Sequence, residues 1–233
     1  MRKKTGIAAL IAAFAIFAFA ASAAFAATIT GTDQNDFLMG TNQIDTINAL
    51  AGDDTVFAKA GADQILGGDG NDHVDAGPGD DQITGGAGDD VIDGSVGNDT
   101  AFGQDGNDVL IGMQGNDLLR GRAGDDQVFG GRGADALYAG PGVDSVFGGP
   151  GPDRIFALAQ IDATLPGGDT VHGGRGNDVI RVNDGESDTV DCGRGRHDVA
   201  VVDPGNLDVV SHNCEVVVHS TPSLTESTQE GSS

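Results

Sequence analysis

From Gly31 to Phe156 the chain repeats every nine residues, 14 times, without an insertion or deletion. The sixth position is Asp in every repeat: Asp36, Asp45, Asp54, Asp63, Asp72, Asp81, Asp90, Asp99, Asp108, Asp117, Asp126, Asp135, Asp144 and Asp153. Composition alone, 32 Asp in 233 residues, would place about two Asp in 14 positions. The fourth position is Gly in 12 of 14, with Gln34 and Gln43 the exceptions, and the first is always Gly or Ala. The eighth is Leu, Ile or Val in 13, with Ala101 the exception. A period this short leaves few folds open. Six residues such as Gly67 to Asp72 can turn sharply, because Gly tolerates backbone angles that other residues avoid. The next three, His73-Val74-Asp75, can only be a very short strand with one inward aliphatic. Such a unit cannot fold alone, but stacked on its neighbours it builds a continuous ladder along a solenoid axis. A helix is excluded, since each interior Gly would cost about 1 kcal/mol.

The acids have a second message. The chain carries 36 acidic and 12 basic side chains, a formal charge of −24, and 32 of the acids are Asp against 4 Glu. Solubility would be served by either residue, so the preference for Asp needs a geometric cause. No basic face for nucleic acid can form from this composition. With aromatics at 5% and no Trp, an ordinary core-packed enzyme is also disfavoured. Short carboxylates set among Gly suit oxygen ligation of a hard cation in tight loops.

The repeats resemble the hemolysin-type calcium-binding, or RTX, nonapeptide Gly-Gly-x-Gly-x-Asp-x-aliphatic-x. Gly67 to Asp75, Gly85 to Asp93 and Gly130 to Tyr138 match its fixed positions, and the likeness covers 126 consecutive residues. The resemblance implies an all-β fold: a right-handed parallel β-roll with two nonapeptides per turn and Ca²⁺ between the loops of successive turns. It also implies the ligands, which are the sixth-position Asp carboxylates and backbone carbonyls of the Gly-rich loops. Glu would then overshoot an ion held close to the backbone. Ca²⁺ accepts mixed oxygens in a flexible geometry, whereas Mg²⁺ demands a tighter octahedron. Fourteen loops in two rows give 12 same-edge neighbour pairs, so at most about 12 ions are expected in this tract. Residues 27–156 hold 23 Asp and five basic residues, a net of −18, which full occupancy would overshoot. The loops at Gln34 and Gln43 are therefore expected to be empty, and Val143 and Pro152 make the last two loops atypical. Asp75, Asp93 and Asp105 read as a solvated face. Without calcium, like charges and Gly-rich loops oppose order, so binding and folding are expected to be coupled.

Outside the tract, residues 1–26 read as a signal peptide. Arg2, Lys3 and Lys4 precede an apolar run, and Ala24-Phe25-Ala26 supplies the small residues of a cleavage site. Cleavage after Ala26 would leave residues 27–156 as the regular roll, and no later segment is apolar enough to span a membrane. Residues 157–219 read as irregular repeats and a C-terminal cap. There Asp162 keeps the nine-residue spacing without a Gly loop, and Gly167-Gly168-Asp169 restarts the pattern early. Gly173 to Asp178 is well formed, making Asp178 a further metal ligand, and Asp188, Asp198 and Asp208 recur at spacing ten. The stretch from Thr189 to Glu215 resembles the terminal part of secreted actinobacterial RTX-like proteins. Cys192 and Cys214, the only cysteines, are expected to form a disulfide in an exported chain. Metal ligation with His197 or His212 is the alternative. Residues 220–233, rich in Ser, Thr, Glu and Gln, read as a disordered tail.

No HExxH, GxSxG or Walker-type loop is present, so no catalytic residue is assigned. Neighbouring acids such as Asp80-Asp81 point opposite ways on an extended chain and make no acid/base pair. The expected function is a secreted calcium-binding structural protein of a cell surface or matrix. Calcium is its expected partner, and partner proteins and oligomeric state stay open. An adhesin is the competing reading, using outward ninth-position Phe129, Tyr138, Phe147 and Phe156. Packing of these rings beneath residues 157–218 is the preferred account of them. A polysaccharide-modifying enzyme in residues 157–218 is a third reading.

Overall fold

A computed structural model describes residues 17–19, 26–158, 168–205 and 207–221. They form two parallel sheets of 11 strands each, and successive strands alternate between the sheets. We call them the first sheet, which carries Phe37–Met39, Thr55–Phe57 and His73–Asp75, and the second, which carries Thr46–Ala51, Gln64–Asp69 and Gln82–Ala87. Within a sheet each residue pairs with the one two repeats on: Ile47 with Ile65, Ile65 with Ile83. Two nonapeptides therefore make one turn, as expected, and the architecture is a parallel β-solenoid.

The core is the eighth-position ladder. Leu38, Ile47, Val56, Ile65, Val74, Ile83, Ile92 and their successors to Ile155 are at most 1% exposed. The small first position has a packing cause as well: Ala49, Ala58, Ala76 and Ala139 lie in the same core. Each repeat thus contributes one large and one small inward residue, and stacking supplies the burial that no single repeat could.

The solenoid does not stop at Phe156. Thr170–Arg175 pairs with Ser145–Pro150, and Val179–Arg181 with Arg154–Phe156, in the register of the regular tract. Thr189–Asp191, Val199–Val202, Val209–Val210 and Val216–His219 continue both sheets. Asp162 lies outside the described residues, as do most of the expected signal peptide and residues 222–233 of the expected tail. Within residues 1–26, Phe17–Phe19 pairs in parallel with Phe37–Met39. No helix of the described residues is long and apolar enough to cross a membrane.

Candidate metal centres along the two loop edges

Loops of six residues join the sheets, so the molecule has two edges, each a column of loops one turn apart. From the third repeat onward the second loop position has positive φ, with or without Gly. Leu50 (φ 84°), Lys59 (80°), Ser95 (75°), Gln104 (96°), Met113 (71°) and Arg122 (82°) all adopt it. The fourth position, also at positive φ in every Gly of the regular tract but Gly79, needs Gly for a steric reason as well. A Cβ on Gly97 would run into the carbonyl oxygen of Gly79 in the turn below. At the first position, a Cβ on Gly103 would occupy a cradle bounded by Asp108 Oδ2 and the carbonyl oxygen of Gly121.

That cradle is built around the sixth-position Asp. All 14 predicted carboxylates of the regular tract are buried, as is Asp178. From Asp54 onward, Oδ1 of each accepts the backbone N–H of the equivalent Asp one turn earlier: Asp72 N–H to Asp90 Oδ1 at 2.8 Å, and Asp90 N–H to Asp108 Oδ1 at 2.8 Å; Asp45 Oδ1 accepts the Ala27 N–H instead. The ladder crosses into the irregular region unbroken. Asp144 N–H donates to Asp169 Oδ1, Asp153 to Asp178, Asp169 to Asp188 and Asp178 to Asp198, all at 2.8–2.9 Å. Asp169, Asp188 and Asp198 therefore occupy sixth positions that were not predicted as ligands. The series closes with Asp198 N–H donating to Glu215 Oε2 at 2.8 Å.

The second carboxylate oxygen behaves differently. Oδ2 of Asp54, Asp63, Asp72, Asp81, Asp90, Asp99, Asp108, Asp117, Asp126, Asp135, Asp144, Asp153, Asp178, Asp188 and Asp198 is buried and accepts no hydrogen bond. A buried charged oxygen without a partner costs several times what one neutral hydrogen bond returns. Burial pushes Asp90 and Asp108 up to about 7, against the bond from the backbone N–H, and neighbouring carboxylates add to the rise. Asp144 and Asp169 rise to about 8 and Asp188 to about 9 by the same desolvation.

The first two loops depart from this pattern. Asp36 Oδ2 accepts the Thr32 N–H (2.5 Å) and hydroxyl (2.9 Å), and Asp45 Oδ2 accepts the Thr41 N–H (2.6 Å) and hydroxyl (3.0 Å). Val143 and Pro152, by contrast, leave their loops intact, since Asp144 and Asp153 stay buried with orphaned Oδ2.

A second ladder runs along the fifth position. Asn71 N–H donates to Asp53 Oδ1, Asp89 to Asn71, Asn107 to Asp89, Asp125 to Asn107 and Val143 to Asp125, at 2.8–3.0 Å. These bonds run toward the previous turn, opposite in sense to the sixth-position ladder, so each pair of loops is stapled both ways. Asn or Asp serves equally as acceptor. The signal was present in the alternating Asn/Asp of repeats from Asn35 to Asp125.

Cys192 and Cys214 form the expected disulfide, so neither is free to bind a metal with His197 or His212. Nearby, Asp191 accepts from Asn213 Nδ2 (2.6 Å) and lies 3.6 Å from His172 Nδ1. Hydrogen bonding, chiefly from Asn213, holds its carboxyl below the usual range. The Ser211 hydroxyl is directed to Asn213 Oδ1 and Asp191 rather than to a histidine, so these residues do not form a nucleophile–base pair.

The preferred sequence account of the outward aromatics is met only in part among the described residues: of 157–218, His172 and Arg181 pack at the rings. Residues 168–203 extend the solenoid rather than fold over them. Phe129, Phe147 and His172 stack in consecutive turns of the first sheet, with centroids 5.0 and 4.9 Å apart. On the second sheet Tyr138 stacks on Phe156 at 4.7 Å, and Arg120 lies over Tyr138 at 4.7 Å. The rings are half-buried by one another, in line with the axial repeat of the strands.

A hard cation fits the loops on their own chemistry. Oδ2 of Asp72, Asp90, Asp108, Asp117, Asp126, Asp135, Asp153 and Asp178 lies against a first-position Gly, and a backbone carbonyl oxygen of the next turn bounds the same space; Ala takes that position in the loops of Asp54, Asp63, Asp81 and Asp144. Hard oxygen donors of mixed charge on flexible loops suit Ca²⁺. A cation would also supply the missing partner of every buried oxygen and remove the repulsion along the column. No curated protein matches the chain. A family model for the RTX calcium-binding nonapeptide repeat matches residues 30–65, 66–101, 102–137, 138–162 and 165–196. With the repeats, the two-nonapeptide turn and the buried Asp columns in agreement, the chain belongs to the RTX family of calcium-binding nonapeptide-repeat proteins.

Proposed function

We propose that this calcium-binding structural protein is exported, folds when it meets extracellular calcium, and serves at a cell surface or in a matrix. The observation that carries the reading is the column of buried Oδ2 atoms without a hydrogen-bond donor. In the sixth-position series from Asp54 to Asp153, and at Asp178, Asp188 and Asp198, that oxygen is the proposed ligand, with loop carbonyls completing the shell. The basic start and apolar run of residues 1–26, read as a signal peptide, support export, and the disulfide accords with an oxidising compartment. No catalytic role is proposed for any residue.

Coupled folding follows from charge. Fifteen orphaned carboxylate oxygens cannot all be ionised and buried in a metal-free chain. The test is far-ultraviolet circular dichroism of the chain lacking residues 1–26, in excess EDTA and after calcium is restored. The β signal should be lost and then regained, while an unchanged spectrum in EDTA would refute the coupling.

A partner-binding role for the aromatic ladders is the second reading, favoured by their incomplete burial on the outer faces. Tyr138→Ser with Phe156→Ser should then abolish binding to cell-surface material while calcium uptake stays intact. Retained binding would remove this reading.

A further inference from the structure

We propose that the first two loops, residues 31–36 and 40–45, are closed without calcium. Protein donors stand there in the cation's place, so that the calcium columns begin at Asp54 on one edge and Asp63 on the other. This rests on the reading that the orphaned carboxylates elsewhere take calcium.

In both loops the sixth-position Oδ2 and a loop carbonyl oxygen already have protein donors. Asp36 Oδ2 accepts both the N–H and the hydroxyl of Thr32, at 2.5 and 2.9 Å. Asp45 Oδ2 does the same with Thr41, at 2.6 and 3.0 Å. Two donors saturate the lone pairs of one carboxylate oxygen. The threonine hydroxyls are fixed from behind, since Thr32 Oγ1 accepts the Gln34 N–H at 3.3 Å and Thr41 Oγ1 the Gln43 N–H at 3.1 Å.

The glutamine side chains cover a further oxygen. Gln34 Nε2 donates to the Asp33 carbonyl at 2.8 Å, and Gln43 Nε2 to the Asn42 carbonyl at 2.7 Å. In the second loop Lys59 Nζ donates to the Gly40 carbonyl at 2.7 Å, which occupies that oxygen as well. The local backbone differs accordingly. Leu50 and Lys59 begin the series of second-position residues with positive φ, and Thr32 and Thr41 are not part of it. The same substitution, Thr at the second position with Gln at the fourth, thus accompanies the same hydrogen bonds in both loops.

One end of the stack is therefore held by its own side chains at any calcium level that holds the rest. Solenoids carry specialised terminal repeats, and loops closed by hydroxyls are of that kind.

The test is a calcium count per folded chain, by calorimetry and by metal analysis after gel filtration. Asp36→Asn with Asp45→Asn should leave the count at the wild-type value, while Asp90→Asn should lower it by at least one ion. Thr41→Gly with Gln43→Gly restores the Gly pattern of the later loops and should raise the count by one. The proposal is overturned if the Asp36/Asp45 variant loses ions as Asp90→Asn does. It is equally overturned if the Gly variant folds and gains none. An unchanged count in Asp90→Asn would instead sink the reading that sixth-position Asp binds calcium, which keeps the two failures distinct.

Discussion

Asp108→Asn separates a calcium ligand from a simple hydrogen-bonding staple. The wild-type Oδ1 accepts the Asp90 N–H at 2.8 Å, and an Asn carbonyl oxygen can keep that bond. What the substitution removes is the charge and the orphaned Oδ2. If that oxygen holds calcium, at least one site is lost, and the stability gap to wild type must follow ligand linkage. For one site it is about 1.4 kcal/mol at calcium tenfold above the dissociation constant, and about 2.7 kcal/mol at a hundredfold. In a chain of this size the larger figure lowers the melting temperature by about 5–10 °C. The assay is thermal unfolding followed by circular dichroism across a calcium series. The gap should widen by about 1.4 kcal/mol for each tenfold rise in calcium. A gap that is constant across the series would refute the reasoning and leave Asp108 as a backbone staple alone.

Two further outcomes follow from the same geometry. Met113 is 48% exposed and holds φ 71°, a conformation that costs an L-residue roughly 1–2 kcal/mol. Met113→Gly, after allowing for the entropy of Gly, should stabilise the calcium-loaded protein by about 0.5–1 kcal/mol, read as a higher melting temperature; a lower one would contradict the strain. Burial raises Asp108 to about 7 in the metal-free fold, so that fold holds a proton the unfolded chain has released. Between about pH 4 and pH 7 the metal-free fold therefore loses stability as pH rises. In excess EDTA the residual β signal should therefore be larger at pH 5.5 than at pH 7.5; circular dichroism at the two pH values checks this, and a signal that is unchanged or smaller at pH 5.5 would count against it.

The fold was legible because its determinants are local and periodic. An invariant sixth-position Asp and an eighth-position aliphatic define the metal edge and the core without long-range information. Positions that vary in identity but not in geometry were harder to read. The second loop position adopts positive φ in Leu50, Lys59 and Gln104 as it does in Gly68, because the stacked turns impose it. The fifth-position ladder was hidden because only the acceptor must be Asn or Asp: Val143 and Ala134 contribute just a backbone N–H.

Spacing alone carries less beyond Phe156. The restart at Gly167-Gly168-Asp169 was visible, but that Asp169, 25 residues after Asp144, takes the next sixth position with the strands in register depends on the fold. One extra residue per repeat is absorbed in the same way at Asp188 and Asp198. The paired Thr and Gln of the first two repeats were visible in the sequence as missing Gly. Their role as internal donors depends on distances that only the folded loops supply.

The central claim is that calcium sits against the orphaned Oδ2 atoms along both edges. Anomalous scattering from crystals of the calcium-loaded chain tests it most directly, because calcium then marks its own position. The account predicts columns of anomalous peaks between successive loops, each in contact with Oδ2 of a sixth-position Asp from Asp54 onward. Well-ordered loops with no peak beside these oxygens, in crystals grown in saturating calcium, would contradict it.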